Sequence, residues 1–541
     1  MSADRIFYNG NVITVDPDFS IASAAAIQDG RILAVGSDPD ILALAGAGTV
    51  RTDLAGRTLM PGIIDAHGHI GMVIKFAHWA DLKAPDFYHP DMLSVDDIVS
   101  ILRRHREEDH LEGDALILGF GYHESKLKEG RFLTKFDLDR VSATQPVIVA
   151  NISLHVFSFN SAALKMLNVD ETTQDPPTSK IFRVEGTSEP NGVIQGPLAQ
   201  ELIFNLSTDD MDTKLAAFDK AQQLYFSVGI TTAQEGKSTP DDIAIFDMAV
   251  RAGRTKLDIV SYTDYHNIDQ VLEDYPFQVG RERGHVKICG MKIISDGTLS
   301  SGAYLTRPFE GTKDDRGIEY CTVAEMEGAI RKAVRGGWQF AVHAMGDAAI
   351  DKLMDIYERV TDQEGADRSK LRNIIIHGSA MRADQIARVR DLGLLVSFYP
   401  SAGAALFELF CHTIGPDRAA ATNPMKSAMD AGINVTMHND APIIGPDPFI
   451  PLWSAVNRCS VNAGTLFGPD ERISVTEGIR ALTINGAYQS FDEDRKGSIQ
   501  PGKLADLVVL DRDPLGIDPM DLGLVRVLET IKDGQTVYTA V

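Results

Sequence analysis

The stretch MPGIIDAHGH (60–69) is an apolar run that ends in two histidines, His67 and His69. Seven further runs of the same kind follow it: GITTAQE (229–235), LDIVSYTDY (257–265), GMKIISDG (290–297), FAVHAMGD (340–347), NIIIHGSA (373–380), LLVSFYP (394–400) and INVTMHND (433–440). Amphipathic helical stretches separate them. Short, near-continuous apolar runs alternating with helices are the mark of parallel strands covered by crossover helices. Eight of them predict an α/β fold, a (β/α)8 TIM-type barrel over about residues 58–494.

The two ends read differently from this core and like each other. RIFYNGNVITVD and AAAIQDGRILAVG near the start, and GSIQPGKLADLVVLD and VLETIKDGQTVYTA at the finish, are short β-branched runs punctuated by Asn-Gly, Asp-Gly and Pro-Gly. They predict one small β-sandwich domain built from both termini, residues 1–57 and 495–541. Two surplus strand-like runs, ALILGFGY (115–122) and PVIVANIS (146–153), and a charge-rich helical stretch fall after the first barrel strand. The segment from about 72 to 215 is expected to be an insertion forming a cap or lobe at the barrel mouth.

Every ionisable residue of interest falls at the C-terminal end of an expected strand, the face on which barrel enzymes place their chemistry. His67 and His69 end the first strand, Lys292 lies in the fourth, His343 ends the fifth, His377 the sixth and Asp440 the eighth. Residues two apart on a strand point the same way, so His67 and His69 can address one ion. An H-x-H pair alone is weak, but four more nitrogen and oxygen donors make a shared divalent ion, Zn2+ by donor type, more economical than six accidents. Lys292 is either a snorkelling lysine or a buried amine that becomes a carbamate bridging two ions. Asp440 is either a loop-capping residue or a proton shuttle.

Composition narrows the partners. The net charge of −24 over 541 residues argues against nucleic acid, whose backbone is bound through Lys and Arg. No basic, apolar, small-residue leader and no apolar stretch of about 18 residues is visible, so neither export nor a membrane partner is expected and the cytoplasm is the default. The four cysteines, Cys289, Cys321, Cys411 and Cys459, form no C-x-x-C pair and are expected to be reduced. A small-molecule substrate remains, with a homodimer left open.

These residues resemble the amidohydrolase superfamily, in particular the YtcJ-like branch that includes N-substituted formamide deformylases. PGIIDAHGH, GMKIISDG, VHAMGDAA, IIIHGS, the tail GSIQPGKLADLVVLD with Asp506, and NISLHVFSFNSAAL within the insertion are similar to that branch's motifs over nearly the whole chain. The resemblance implies metal-activated water attacking an amide or related C–N bond of the N-acyl or N-formyl amine type. Asp440 would be the acid-base group, with His377 or His155 assisting. His155, Tyr122, His123, Glu235 and Tyr304 are candidates to line the pocket. The chain departs from the pattern at His438, where relatives commonly carry glycine, and at Tyr399, where they carry glutamine. His438 is then either an extra ligand or a side chain packed behind the ligands, the second reading being preferred. A metal-dependent decarboxylase or isomerase, or a non-catalytic metal-binding relative, stays open as an alternative.

Overall fold

A computed structural model describes residues 2–540 except 84–86, 88–91, 177–178 and 205–209. The eight expected runs supply eight parallel strands: β1 (Ile63–Ile64), β2 (Ile230–Ser238), β3 (Asp258–Asp264), β4 (Val286–Ile294), β5 (Gln339–Ala344), β6 (Ile374–His377), β7 (Leu395–Phe398) and β8 (Val435–Met437). They pair side by side in chain order, each parallel to the next, in a TIM-like barrel. Nearly every position in them is buried, because one face fills the barrel and the other meets the helices.

The first run is not one strand. Residues Thr58–Pro61 pair with Leu507–Leu510 in a sheet of the chain ends, and only Ile63–Ile64 joins the barrel. Gly62 is the switch point: its N–H donates to Asp506 O at 2.8 Å, and a Cβ there would lie 2.4 Å from Thr231 Oγ1. His67 and His69 therefore sit beyond the strand, His67 in a bend and His69 in a single bridge to Glu235. Alternation along a strand does not aim them; the bend does.

Among the described residues β1 and β8 share no ladder, and the seam between them is filled from below. Ile64 N–H donates to Leu482 O (2.9 Å), and Asn485 Nδ2 donates to Val435 O (2.9 Å). Gln489, 2% exposed, spans both sides: its Nε2 donates to Ala66 O (2.8 Å) while its Oε1 accepts from Thr436 Oγ1 (2.8 Å). Above them His69 N–H donates to Ala441 O at 2.7 Å. Side chains and loop backbone thus satisfy polar groups that a strand pair would otherwise pair.

The termini form a four-stranded and a six-stranded sheet, the second mixing Thr58–Pro61 and Asn11–Ile13 with Leu507–Leu510 and Val527–Lys532. Phe7, Ala25, Val12, Leu59, Leu507, Val509 and Ile531 give the two sheets one apolar core. A buried ion network ties this region to the barrel. Asp258, at the start of β3, pairs with Lys496, with Lys532 Nζ at 3.3 Å and with His285 Nδ1 at 2.7 Å, and Lys532 reaches Asp506 at 3.1 Å. The carboxylate of the Ala-Asp-Leu motif is an ion-pair partner in this network.

The chain divides into two compact units, Met1–Val73 with Phe218–Val541, and Ile74–Ala217. The two surplus runs become adjacent parallel strands, Ile117–Tyr122 and Val147–Asn151, inside a separate six-stranded sheet of the second unit. The helix Val95–Glu108 starts at Ser94, whose side chain caps the Asp97 N–H while Asp97 caps Ser94 in return. All four cysteines are free, and no helix of the described residues is long and apolar enough to cross a membrane.

Burial opposes ionisation of Asp258, but Lys496 and Lys532 outweigh it and hold its carboxyl far below the ordinary Asp range. Its contribution to stability is therefore complete above that ordinary range and is lost as pH falls towards the depressed folded value. Asp258→Asn, which leaves two buried ammonium groups short of a counter-charge, should lower unfolding free energy by about 3–5 kcal/mol at pH 7. Urea denaturation of variant and native chain measures it, and the difference should narrow only in strongly acidic buffer.

Candidate metal centre

Six ligand-type residues, two from the bend after β1 and one each from β4, β5, β6 and the turn after β8, converge at the C-terminal end of the barrel. One nitrogen each of His67 and His377 and one oxygen of Asp440 lie within 4.8 Å of one another. His69 Nε2 is 3.4 Å, and His67 Nε2 3.5 Å, from Asp440 Oδ1. Lys292 Nζ lies 3.2 Å from His67 Nε2, and the His343 and His377 rings are 4.5 Å apart. Each of the six sequence-derived ligand candidates thus reaches the cluster.

Burial is uneven across it. The side chain of His67 is 1% exposed, whereas those of His69, His343 and Asp440 keep 19%, 15% and 16% of their surface. Those three line the open edge. Within it, Asp440 Oδ1 is buried and makes no hydrogen bond to any described residue. A buried carboxylate oxygen with only imidazole nitrogens in front of it is a poor arrangement for a dry site and a good one for a cation. The donor set fits a divalent ion.

Two of these residues hold unusual backbone. His377 has φ +73° and Asp440 φ +57°, a region that side-chain-bearing residues rarely occupy. His377 is the last residue of β6 and Asp440 lies in the turn three residues past β8, and the packed strands around them sustain this local strain. Gly236 matters for a different reason: a Cβ there would stand 2.2 Å from His67 Cε1, so only glycine lets that ring lie against the end of β2.

Behind the donors runs a set of partners that orient them. Gln234 Oε1 lies 2.7 Å from His67 Nδ1, and because a carbonyl oxygen only accepts, His67 carries its proton on Nδ1 and leaves Nε2 bare. Glu235 Oε1 is 3.4 Å from His69 Nδ1, while its Oε2 accepts from Gly71 N–H at 2.6 Å. Asp296 accepts from the N–H groups of Tyr304 (2.9 Å), Met345 (3.0 Å) and Gly346 (2.7 Å), bracing the β4 and β5 loops beside His343. His438, 1% exposed, is 3.1 Å from His377 Nδ1 and stacks on Tyr399 with ring centres 5.1 Å apart.

Electrostatics follow from this burial. His67 and His377 are held well below the ordinary histidine value, chiefly by burial and then by Lys292 and His343 respectively; His343 falls to about 4. They are neutral at pH 7, with lone pairs available. Burial also opposes charge on His69, but Asp440 and Glu235 outweigh it and raise the ring to about 9. Burial pulls Lys292 down to about 7. The same cause lifts Asp65, whose Oδ2 is buried without a hydrogen bond among the described residues, to about 8.

The other sequence candidates fall elsewhere. Glu235 is 2% exposed behind His69 and is a partner of that ring, not a wall of the pocket. Tyr304 meets the cluster region through its backbone N–H to Asp296. Tyr122 is 1% exposed in the apolar core of the second unit, its hydroxyl 3.1 Å from Ser158 Oγ, so its side chain is committed to packing and the expected lining role is corrected. His123, 3.6 Å from Glu124, and the exposed His155 belong to the same unit. Sequence reading passed over Gln234, Gly236, Ser397 and the role of Asp296. The adjacent Gln-Glu pair at the end of β2 was the available signal, but strand alternation would send only one of them inward.

Comparison with known proteins agrees with this arrangement. The model of the amidohydrolase family matches residues 52–538. An N-substituted formamide deformylase of Arthrobacter pascens is 29% identical, with 99% of this chain and 98% of that protein aligned. YtcJ of Bacillus subtilis (strain 168) is 28% identical over 98% of this chain and 99% of its own. The crystal structure of an uncharacterized metal-dependent hydrolase from Pyrococcus furiosus shares the fold, with a TM-score of 0.74 at 24% identity over 94% of this chain and 99% of that one. With a barrel of eight parallel strands, a cluster of ligand-type residues at their C-terminal ends and a family match across most of its length, this chain belongs to the amidohydrolase family.

Proposed function

We propose that the chain is a metal-dependent hydrolase that cleaves an amide or related C–N bond, of the N-acyl or N-formyl amine type, in a small molecule. The buried, unbonded Asp440 Oδ1 facing His67 and His69 carries this reading. Similarity to an N-substituted formamide deformylase supports the substrate class. We also read the two terminal sheets with their common core as a small β-sandwich.

His67, His69, His343, His377 and Asp440 would hold one or two divalent ions, Zn2+ by donor type, with Lys292, carboxylated, as a further oxygen donor. Nitrogen and oxygen donors in this number suit zinc. An ion bound there supplies Lewis acidity, making water more acidic and a carbonyl more electrophilic. Lys292, brought to about 7 by burial, has a neutral fraction able to add carbon dioxide; an N–C bond forms and one proton leaves to solvent. Asp440, on the open edge, accepts the proton of the attacking water and returns it to the departing nitrogen. Gln234 and Glu235 keep the His67 and His69 rings in place while this happens.

Asp440→Asn keeps the shape and a weak oxygen donor but cannot take up a proton. It should retain most of its metal and lose about 10² to 10⁴ in turnover, as expected for a removed acid-base group. A panel of N-formyl and N-acyl amines, with released amine and metal content measured on one sample, tests this; a near-native rate defeats the role, and no amine released by the native chain from any of them defeats the substrate class. Gly236→Ala should displace His67 and empty the site while circular dichroism stays native, read by elemental analysis. Because His69 is raised to about 9, metal must displace its proton, so apparent affinity in chelator competition should climb with pH up to about 9 and then level.

A further inference from the structure

Three ligand-type imidazoles in the cluster have a partner at Nδ1, and one of those partners differs in kind. Gln234 and Glu235 present oxygens to His67 and His69. His377 Nδ1 instead meets another imidazole, His438 Nε2, at 3.1 Å, and His438 Nδ1 lies 2.9 Å from Ser397 Oγ. All three are buried, at 2%, 1% and 0% exposure.

A neutral imidazole has one donor and one acceptor nitrogen, so this chain can run in only two directions. If Ser397 donates to His438 Nδ1, then His438 Nε2–H donates to His377 Nδ1, and the His377 proton sits on Nε2, where it blocks ligation. In the reverse direction His377 Nδ1–H donates to His438 Nε2, His438 Nδ1–H donates to Ser397 Oγ, and His377 Nε2 is bare. An amide or carboxylate oxygen behind the ring would impose the second state by itself; an imidazole does so only when its own far nitrogen donates. Ser397 supplies the acceptor. Tyr399, stacked on the His438 ring at an interplanar angle of 25°, keeps that ring in the plane the chain needs.

His438 is not itself among the donors that meet Asp440. The mutually close group comprises His67, His377 and Asp440, and both His438 nitrogens are engaged by His377 and Ser397.

We propose that His438 is a positioning residue, which, with Ser397, selects the His377 tautomer that presents Nε2 to a divalent ion. The proposal rests on the metal site proposed above and adds to it a role for a residue at which this chain carries a ring.

Cobalt(II) provides a test with a spectroscopic reading. The native chain, His438→Ala, His438→Gln and Ser397→Ala are freed of metal and titrated with Co2+, following visible absorption, bound equivalents and affinity by chelator competition. Circular dichroism checks that each is folded. His438→Ala should bind the same number of ions as the native chain at saturating cobalt, with affinity lowered about 10- to 100-fold and an altered spectrum, as for loss of a group that orients a ligand. Ser397→Ala should weaken binding in the same direction. His438→Gln, whose Oε1 can accept from His377 and whose Nε2 can donate to Ser397, should recover most of the affinity and the native spectrum. Loss of one equivalent in His438→Ala would make His438 a ligand and overturn the proposal. So would unchanged affinity and spectrum in His438→Ala, or a His438→Gln as weak as His438→Ala. A native chain that binds no cobalt would instead overturn the metal site itself, and this inference with it.

Discussion

A carboxylate oxygen withdrawn from water without a hydrogen bond is unfavourable by several kcal/mol unless a positive charge answers it. Asp440 Oδ1 is such an oxygen, and much of the surrounding structure is arranged about it. His67 and His69 stand in front of it, with their Nε2 atoms 3.5 and 3.4 Å away, and Asp440 itself holds the left-handed backbone that ends the turn after β8. Removing neighbouring positive charge would leave this site electrostatically unbalanced; placing a divalent ion among the donors balances it.

The position of Asp440 depends in turn on how the barrel closes. β1 is only two residues long and β8 three, and the described residues give them no ladder to each other. The seam is held by groups from helices later in the chain, with Gln489 reaching Ala66 on one side and Thr436 on the other. Ala66 precedes His67, and Thr436 lies four residues before Asp440, so the same side chain braces both halves of the donor set. Irregular closure at this place leaves the first and last strand ends free to bend, which a continuous ladder would resist.

Orientation of the ligands is a second layer built from unremarkable polar residues. Gln234, Glu235, His438 and Asp296 touch the candidate ligands or their loops from the side away from the open edge. Such contacts decide which nitrogen of each ring is free and how far the ring can swing. The ion network at Asp258 does comparable work at the opposite, N-terminal end of the strands, where it secures Lys496 and Lys532 of the C-terminal segment to β3. Stability and chemistry are thereby assigned to opposite ends of the same strands.

The amino-acid sequence by itself determined the eight apolar runs and their parallel arrangement and picked out six ligand-type residues in or just after them, because apolar periodicity and position along a run are local properties. It also showed that the chain ends are β-structure. Tertiary structure alone decided that the first run divides at Gly62 between two sheets, that Tyr122 is core, that Glu235 stands behind His69, and that His438 is coupled to His377 and Ser397. The physical reason is separation along the chain. Gln234 and His67 are 167 positions apart, and His438 and His377 are 61 apart, so the hydrogen bonds that set each ring's tautomer join residues whose local patterns carry no trace of one another.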